Sequence, residues 1–389
     1  MAGPGRTDRS APVPAFVDER AHGMISTPPR LPRVFLSDNT AGAAAEVVAA
    51  VTDAAAGHAA PYGADRWTVD LRRRMCELFE RDVDVFPVST GTVANALGLT
   101  VLMPPWGSAI CHAESHVNVD ECGAPEFFTS GAKLVPLGGE DAKIDLAQLR
   151  PAVGRMSGDV HSVQPSVVSI TQATETGAVY ALDEIREIAA IAKAAGLRVH
   201  MDGARFANAV AALECPPAEM TWRAGVDVLS FGATKNGTMT ADAIVVFDRS
   251  LSDELAFRAK RGGQLSSKMR FQAAQLDACL ADGLWLRNAR HANAMAARLG
   301  AGLRAVPGVH LIGRAQANIL FCRLPRPTID GLLAEGFAFY HDRWEPGVVR
   351  LVTSFATTAE DVDDLVEAVG RLGGRPAEPA RSPREGDPA

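Results

Sequence analysis

Seven strand-length runs of apolar, largely β-branched residues punctuate the chain between Val83 and Phe247, and longer amphipathic stretches separate several of them. The runs are Val83 to Val88, Ser108 to His112, Lys133 to Leu137, Ser166 to Thr171, Leu197 to Met201, Val226 to Phe231 and Ala243 to Phe247. Runs this short and this uniformly apolar read as strands buried on both faces. Gly91 to Met103, Asp183 to Ala195 and Phe206 to Leu213 read as helices. In the second of these, Ile185, Ile188, Ile191 and Ala192 fall on one face. Strand alternating with helix implies right-handed crossovers and a mostly parallel seven-stranded sheet flanked by helices, an α/β fold. Residues that bind ligands then collect at the carboxyl ends of the strands.

After Phe247 the pattern changes. A long helix rich in Ala and Arg runs from Leu284 to Val306, followed by strand-like His310 to Ile312, Asn318 to Leu324 and Val348 to Phe355. A last helix starts behind Thr358, an N-cap residue, and runs to Leu372. This predicts a large domain over 35–280 and a smaller C-terminal α+β domain over 281–372, which the N-terminal segment is expected to join in space. Residues 1–34 carry charges throughout and lack the apolar core of a secretion signal. Residues 373–389 hold no large apolar side chain. Neither end can offset its ordering entropy by burial, so both are expected to be disordered.

With 389 residues, 47% of them hydrophobic, the chain can bury a sizeable core. A net charge of −7 gives it no overall attraction for nucleic acid or anionic lipid, and no apolar run is long enough to span a bilayer. Six cysteines are scattered without a CxxC pair, which fits reduced thiols in a cytoplasmic protein and argues against a zinc site.

Three strand ends carry chemistry. Ser230-Phe-Gly-Ala-Thr-Lys-Asn-Gly237 leaves a buried strand and stops in a polar turn with one lysine, Lys235, placed where desolvation would lower its pKa toward that of a Schiff-base amine. Taken alone it reads as a solvated loop lysine, and only its neighbours change that. Val199-His-Met-Asp-Gly-Ala-Arg205 sets Asp202 at a strand end, where it can hold a proton on a cofactor's pyridine nitrogen or simply cap a helix over Gly203 to Val210. Val88-Ser-Thr-Gly-Thr-Val-Ala-Asn95 turns from strand into helix with small hydroxyl residues and one glycine, an anion cradle suited to phosphate. It is neither GxGxxG nor a Walker motif.

Together, and in this order, these segments resemble the fold-type I pyridoxal phosphate enzymes, and more closely the L-threonine aldolases of the β-eliminating lyase group. The likeness runs from about Phe35 to Leu372. It is carried also by Leu36-Ser-Asp-Asn-Thr, Tyr62-Gly-Ala-Asp65, Ser115-His116 and Arg350-Leu-Val-Thr353. The resemblance implies pyridoxal 5'-phosphate held by Lys235, its ring nitrogen kept protonated by Asp202 and its phosphate held by Thr90, Gly91 and Thr92, with Arg270 as a further cation. It implies His116 stacked on the ring, and Ser37, Arg205 and Arg350 on the substrate carboxylate. Tyr62 and Asp65 fall in a segment that reaches a neighbouring subunit's site in relatives, so a homo-oligomer, dimer or tetramer, is expected.

The implied reaction is retro-aldol cleavage of L-threonine, L-allo-threonine or a related L-β-hydroxy-α-amino acid to glycine and an aldehyde, with His116 or His161 as the base. Each residue has a plainer reading: His116 and His161 as ordinary histidines, Arg350 as an ion-paired edge residue, Ser37 as a turn residue. Asp120 stands where relatives often carry an aromatic residue. With Thr171-Gln-Ala-Thr-Glu-Thr-Gly, that form is similar to the branch containing phenylserine aldolases. Another β-eliminating lyase, a hydroxymethyl transferase and a catalytically silent cofactor-binding protein are the alternative readings.

Overall fold

A computed structural model describes residues 33–373, and the expectations for 1–32 and 374–389 lie outside them. The seven runs form strands close to where the sequence puts them: β1 Asp84–Val88, β2 Gly107–His112, β3 Lys133–Leu137, β4 Gln164–Thr171, β5 Arg198–Gly203, β6 Val228–Phe231 and β7 Asp242–Val246. They make one sheet in the order β1-β7-β6-β5-β4-β2-β3. Strands β3, β2, β4, β5 and β6 are parallel, and β7 pairs antiparallel with both β6 and β1. The connection from β6 to β7, Gly232 to Ala241, holds no crossover helix, so the chain returns antiparallel. That same short connection carries Lys235.

Register then lines up the strand ends. Val88 faces Asp242, Gly203 faces Phe231, and Thr171 faces Asp202, which in turn faces Ser230. The turns after β1, β4, β5 and β6 therefore open along one edge of the sheet, the arrangement that makes a ligand crevice in α/β proteins.

Alternate residues supply two cores. On β7, Ala243 and Val245 face one hydrophobic cluster while Ile244 and Val246 face the other. The helix Gly91–Thr100 is buried from Val93 to its end. Its small residues permit this: a Cβ on Gly98 would lie 3.3 Å from Val228 and 3.4 Å from His200.

A second, antiparallel sheet has the order β10-β11-β9-β8, from β8 His310–Ile312, β9 Ile319–Arg323, β10 Tyr340–His341 and β11 Val348–Val352. Its core includes Phe35, whose amide donates to Ala338 O at 2.8 Å and whose carbonyl accepts from the Val352 amide at 2.9 Å. The N-terminal segment thus joins the C-terminal part. The helix Leu284–Ala305 serves both cores, with Leu284, Trp285 and Ala289 in the larger and Ala296, Leu299 and Leu303 in the smaller. The last helix, Ala359–Gly373, begins with a reciprocal cap: Thr358 Oγ1 accepts from the Asp361 amide at 3.1 Å, and Asp361 Oδ2 from the Thr358 amide at 2.9 Å.

Candidate active site

The Lys235 turn is pinned from several sides. Asp242, the first residue of β7, accepts from the Ala233 and Thr234 amides at 2.7 and 3.0 Å. Asn236 donates to Trp285 O at 2.9 Å, and Asn288 donates to Asn236 O at 2.9 Å. Gly237 turns the chain at φ 116°, where any side chain is strained. The Lys235 amine makes no hydrogen bond or ion pair with a described residue. Burial, and then the positive charge of Arg205, push its pKa below the ordinary lysine range, against the pull of Asp38, Glu175 and Asp202. A fraction of neutral amine is thereby favoured, as a carbonyl-capturing lysine requires.

Two chambers meet at this lysine. The inner one, about 250 Å³, is lined by Thr90, Gly91, Thr92, Asn95 and Asp202 together with Asn39, His116 and Lys235. At its edge the helix Gly91–Thr100 starts behind Thr90, whose hydroxyl accepts from the Val93 amide at 3.2 Å. The Gly91 and Thr92 amides have no intrahelical partner, and a Cβ at Gly91 would meet nothing within 4 Å. In the same chamber wall, Asp202 is 2% exposed. Its Oδ2 accepts from Asn95 Nδ2 at 2.9 Å and its Oδ1 from the Ala204 amide at 3.0 Å. The helix beyond it starts only at Phe206 with Arg205 at its cap position, so Asp202 does not cap a helix over Gly203 to Val210.

His116 opens the turn after β2 and borders both chambers. Its Nδ1 lies 2.8 Å from Glu121 Oε1, which also accepts from Asn95 Nδ2 at 2.8 Å. The Glu121 bond raises the imidazole pKa against the opposing effect of burial.

The outer chamber, about 510 Å³, shares Asn39, His116 and Lys235 with the inner one and adds Ser37, Glu175, Arg205, Arg350 and the rim pair Asp120 and Arg343. Arg205 is committed: its side chain is 3% exposed and it forks onto Asp38 at 2.8 and 3.0 Å. Burial acts to raise the Asp38 carboxyl, but Arg205 and Lys235 more than reverse it and leave it lowered. Arg350, on β11, makes no hydrogen bond or ion pair with a described residue, and burial followed by Arg205 lowers its pKa. Its guanidinium is free for an incoming carboxylate. Ser37 is both a turn residue, accepting from the Asn39 amide at 3.2 Å, and part of the chamber wall.

The other expected residues are not brought to this site within the single chain. His161 is a correction: it lies just ahead of the amino end of β4, the sheet edge opposite the crevice, with an exposed side chain 3.0 Å from Asp159. Tyr62 is exposed with Lys260 over its ring, and Asp65 caps the helix Arg66–Leu78. Arg270 reaches Gly57 O at 3.4 Å and lies over Trp67.

Sequence reasoning did not single out Asp38, Asn95, Glu121, Asp242 or Gln264, the last of which accepts from Ser89 N and Oγ at 3.0 Å each. Asn95 carried a signal, since an amide buried in a helix of Ala, Leu and Val must be bonded to something.

The family described as beta-eliminating lyase matches residues 35–324. A low specificity L-threonine aldolase of Pseudomonas aeruginosa is 45% identical over 335 residues, covering 86% of this chain and 96% of that one. Another from a Pseudomonas species is 46% identical over 306 residues, 79% of this chain and 88% of that one. Among solved structures, the threonine aldolase of Leishmania major superposes with a TM-score of 0.82 at 30% identity, covering 88% of this chain and 99% of that one.

Proposed function

The chain belongs to the β-eliminating lyase family, and from that premise we infer that it is a pyridoxal phosphate-dependent aldolase of fold type I, a carbon–carbon lyase that converts L-threonine, L-allo-threonine or related L-β-hydroxy-α-amino acids to glycine and an aldehyde. One observation carries the assignment of the site: a half-buried lysine amine with no partner among the described residues stands where two chambers meet. The inner chamber is lined by the start of the helix Gly91–Thr100 and by the Asp202 carboxylate, and the outer one offers a free guanidinium.

The inner chamber fits the cofactor. Gly91, Thr92 and Thr90 would hold its phosphate at the helix start, Asp202 would sit at its ring nitrogen, and His116 would lie on the ring face. When bound, pyridoxal phosphate supplies an electrophilic aldehyde for an amine and a protonated ring that accepts the electron pair released at Cα.

The chain's own residues do the rest. Lys235 would hold the cofactor and, once a substrate amine has taken its place, is positioned to carry a proton as its ammonium form and return it to Cα. Asp202, fixed by Asn95 and the Ala204 amide, keeps the proton on the ring nitrogen. Arg350 takes the substrate carboxylate as a bidentate pair, orienting the Cα–Cβ bond. Arg205 reinforces that field while remaining locked to Asp38. His116 borders both chambers, with its Nδ1 on Glu121, a bond that raises the imidazole pKa.

We further assign a large domain to 35–280 and a small one to 281–372, and a homo-oligomer, dimer or tetramer, with shared sites. Exposed Trp106, Phe127 and Phe257 support the oligomer, as do Tyr62 and Arg270, which point to no site of their own chain. Six free cysteines support a reducing, cytoplasmic setting. No helix among the described residues is long and apolar enough to cross a membrane.

Incubation of the holoprotein with L-threonine, L-allo-threonine and L-phenylserine should release glycine and the matching aldehyde. Oxo acid plus ammonia, dependence on a folate, or a visible chromophore without turnover would each select one of the alternative activities instead.

A further inference from the structure

The loop after β4 is fastened on both sides of Glu175 and leaves that residue's own side chain unbonded. Thr174 and Thr176 each donate their hydroxyl to Asp141 O, at 2.8 and 2.9 Å. The Gly177 carbonyl accepts from the Gln316 and Ala317 amides at 2.9 and 3.0 Å. Gly177 itself has φ 86°, and a Cβ there would run into the Ile319 carbonyl oxygen. Between these anchors the Glu175 carboxylate makes no hydrogen bond or ion pair with a described residue, and it lines the outer chamber beside Lys235 and Arg350. Its charge is felt at Lys235, Arg205, Arg350 and His116, which ring the position a substrate would occupy.

The other acidic groups around the two chambers are otherwise engaged or remote. Asp38 is bound by Arg205, Asp202 by Asn95 and the Ala204 amide, and Asp120 by Arg343 at 2.6 Å. Glu114 also lines the outer chamber, but it is exposed to solvent, and the histidine it influences is His112. His116, the expected base, has one ring nitrogen tied to Glu121. Arg350 and Glu175 share the chamber without pairing, so the substrate's carboxylate and its β-hydroxyl each find a separate partner.

We propose that the Glu175 carboxylate is the proton acceptor for the substrate β-hydroxyl, a catalytic role that rests on the aldolase reading. As the Cα–Cβ bond breaks, the hydroxyl proton passes to a Glu175 oxygen. The O–H bonding pair becomes the second bond of the aldehyde carbonyl, and the Cα–Cβ pair stays with the glycine fragment, which takes a proton at Cα. Glu175 then returns its proton to solvent, and in the synthetic direction it delivers one to the aldehyde oxygen. General base catalysis by a positioned carboxylate contributes about 10²- to 10⁴-fold.

The test is Glu175→Gln in the holoenzyme, with Glu175→Asp as a second variant that keeps a carboxylate one methylene shorter. Cleavage of L-threonine should fall about 10²- to 10⁴-fold in kcat for Gln and less for Asp. Exchange of the glycine α-hydrogen in D₂O, followed by NMR, involves no β-hydroxyl and should stay near wild type. In the cofactor-free protein the His116 pKa should drop in Glu175→Gln, because that carboxylate raises it. Cleavage at the wild-type rate in the Gln variant, or loss of glycine exchange together with cleavage, would overturn the role. A wild-type protein that exchanges glycine yet releases no aldehyde from any β-hydroxy amino acid would instead overturn the aldolase reading.

Discussion

Asp38→Asn attacks the most deeply buried ion pair of the site. The Asp38 and Arg205 side chains are 1% and 3% exposed, joined by two hydrogen bonds, with Asn318 Nδ2 donating a third to Asp38 at 3.0 Å. Asparagine preserves the shape but leaves the guanidinium charged and unpaired away from water. Breaking a buried pair from one side costs about 3–5 kcal/mol. Over residues 33–373, unfolding entropy at about 2.1 cal/mol/K per residue sums to roughly 0.7 kcal/mol/K, so the melting temperature should fall by about 4–7 °C. The assay is a thermal melt of the cofactor-free protein, so that lost ligand stabilisation does not enter. The Asp38 carboxyl is lowered in the folded protein, so the pair's contribution is complete above the unfolded-state pKa and fades as pH falls through the folded value. The gap between wild type and variant should therefore close in acid. A melt shifted by less than a degree at neutral pH, or a gap that widens in acid, would mean that the Asp38–Arg205 pair does not stabilise the fold.

Three further substitutions probe other parts of the site. Arg350→Ala should retain the cofactor but weaken amino-acid binding by about tenfold to a hundredfold, the worth of one charge-assisted hydrogen bond of roughly 1.5–3 kcal/mol; an unchanged KM would remove Arg350 from carboxylate capture. Glu121→Gln should lower the His116 pKa, read by NMR titration of the cofactor-free protein, because Glu121 is the largest influence raising it; an unmoved pKa would mean the pair does not form in solution. Gly177→Ala should cost about 1–3 kcal/mol of stability by forcing a side chain into positive φ and against Ile319, and should slow cleavage by shifting the Glu175 loop; a variant as stable as wild type would show that the loop is not so fastened.

The strands were legible because each is a continuous apolar run, and a sheet buried on both faces has no polar alternation to blur the signal. The direction of β7 was not, since direction depends on the length of a connection rather than on the run itself. Asp202 stood out because it directly follows such a run and so must lie at a strand end, and Lys235 because it is the lysine of the short polar turn after one. His161 precedes its strand, and the same logic sends it to the opposite edge. Asp38 was hidden by distance: its partner Arg205 is 167 residues away, and no local pattern announces such a pair. Phe35 likewise completes the small core only through backbone bonds to Ala338 and Val352. Glu175 lies in the segment Thr171-Gln-Ala-Thr-Glu-Thr-Gly, which drew notice only as a whole, and the anchoring of its neighbours is what sets it apart.

Everything in the proposed mechanism depends on Lys235 carrying the cofactor at the meeting point of the two chambers. Borohydride reduction of the holoprotein, followed by digestion and mass spectrometry, fixes the carrier lysine covalently. The pyridoxyl group should appear on the peptide containing Lys235, with no specific adduct in Lys235→Ala. An adduct on Lys143, Lys260 or any other lysine of the wild-type protein would contradict it.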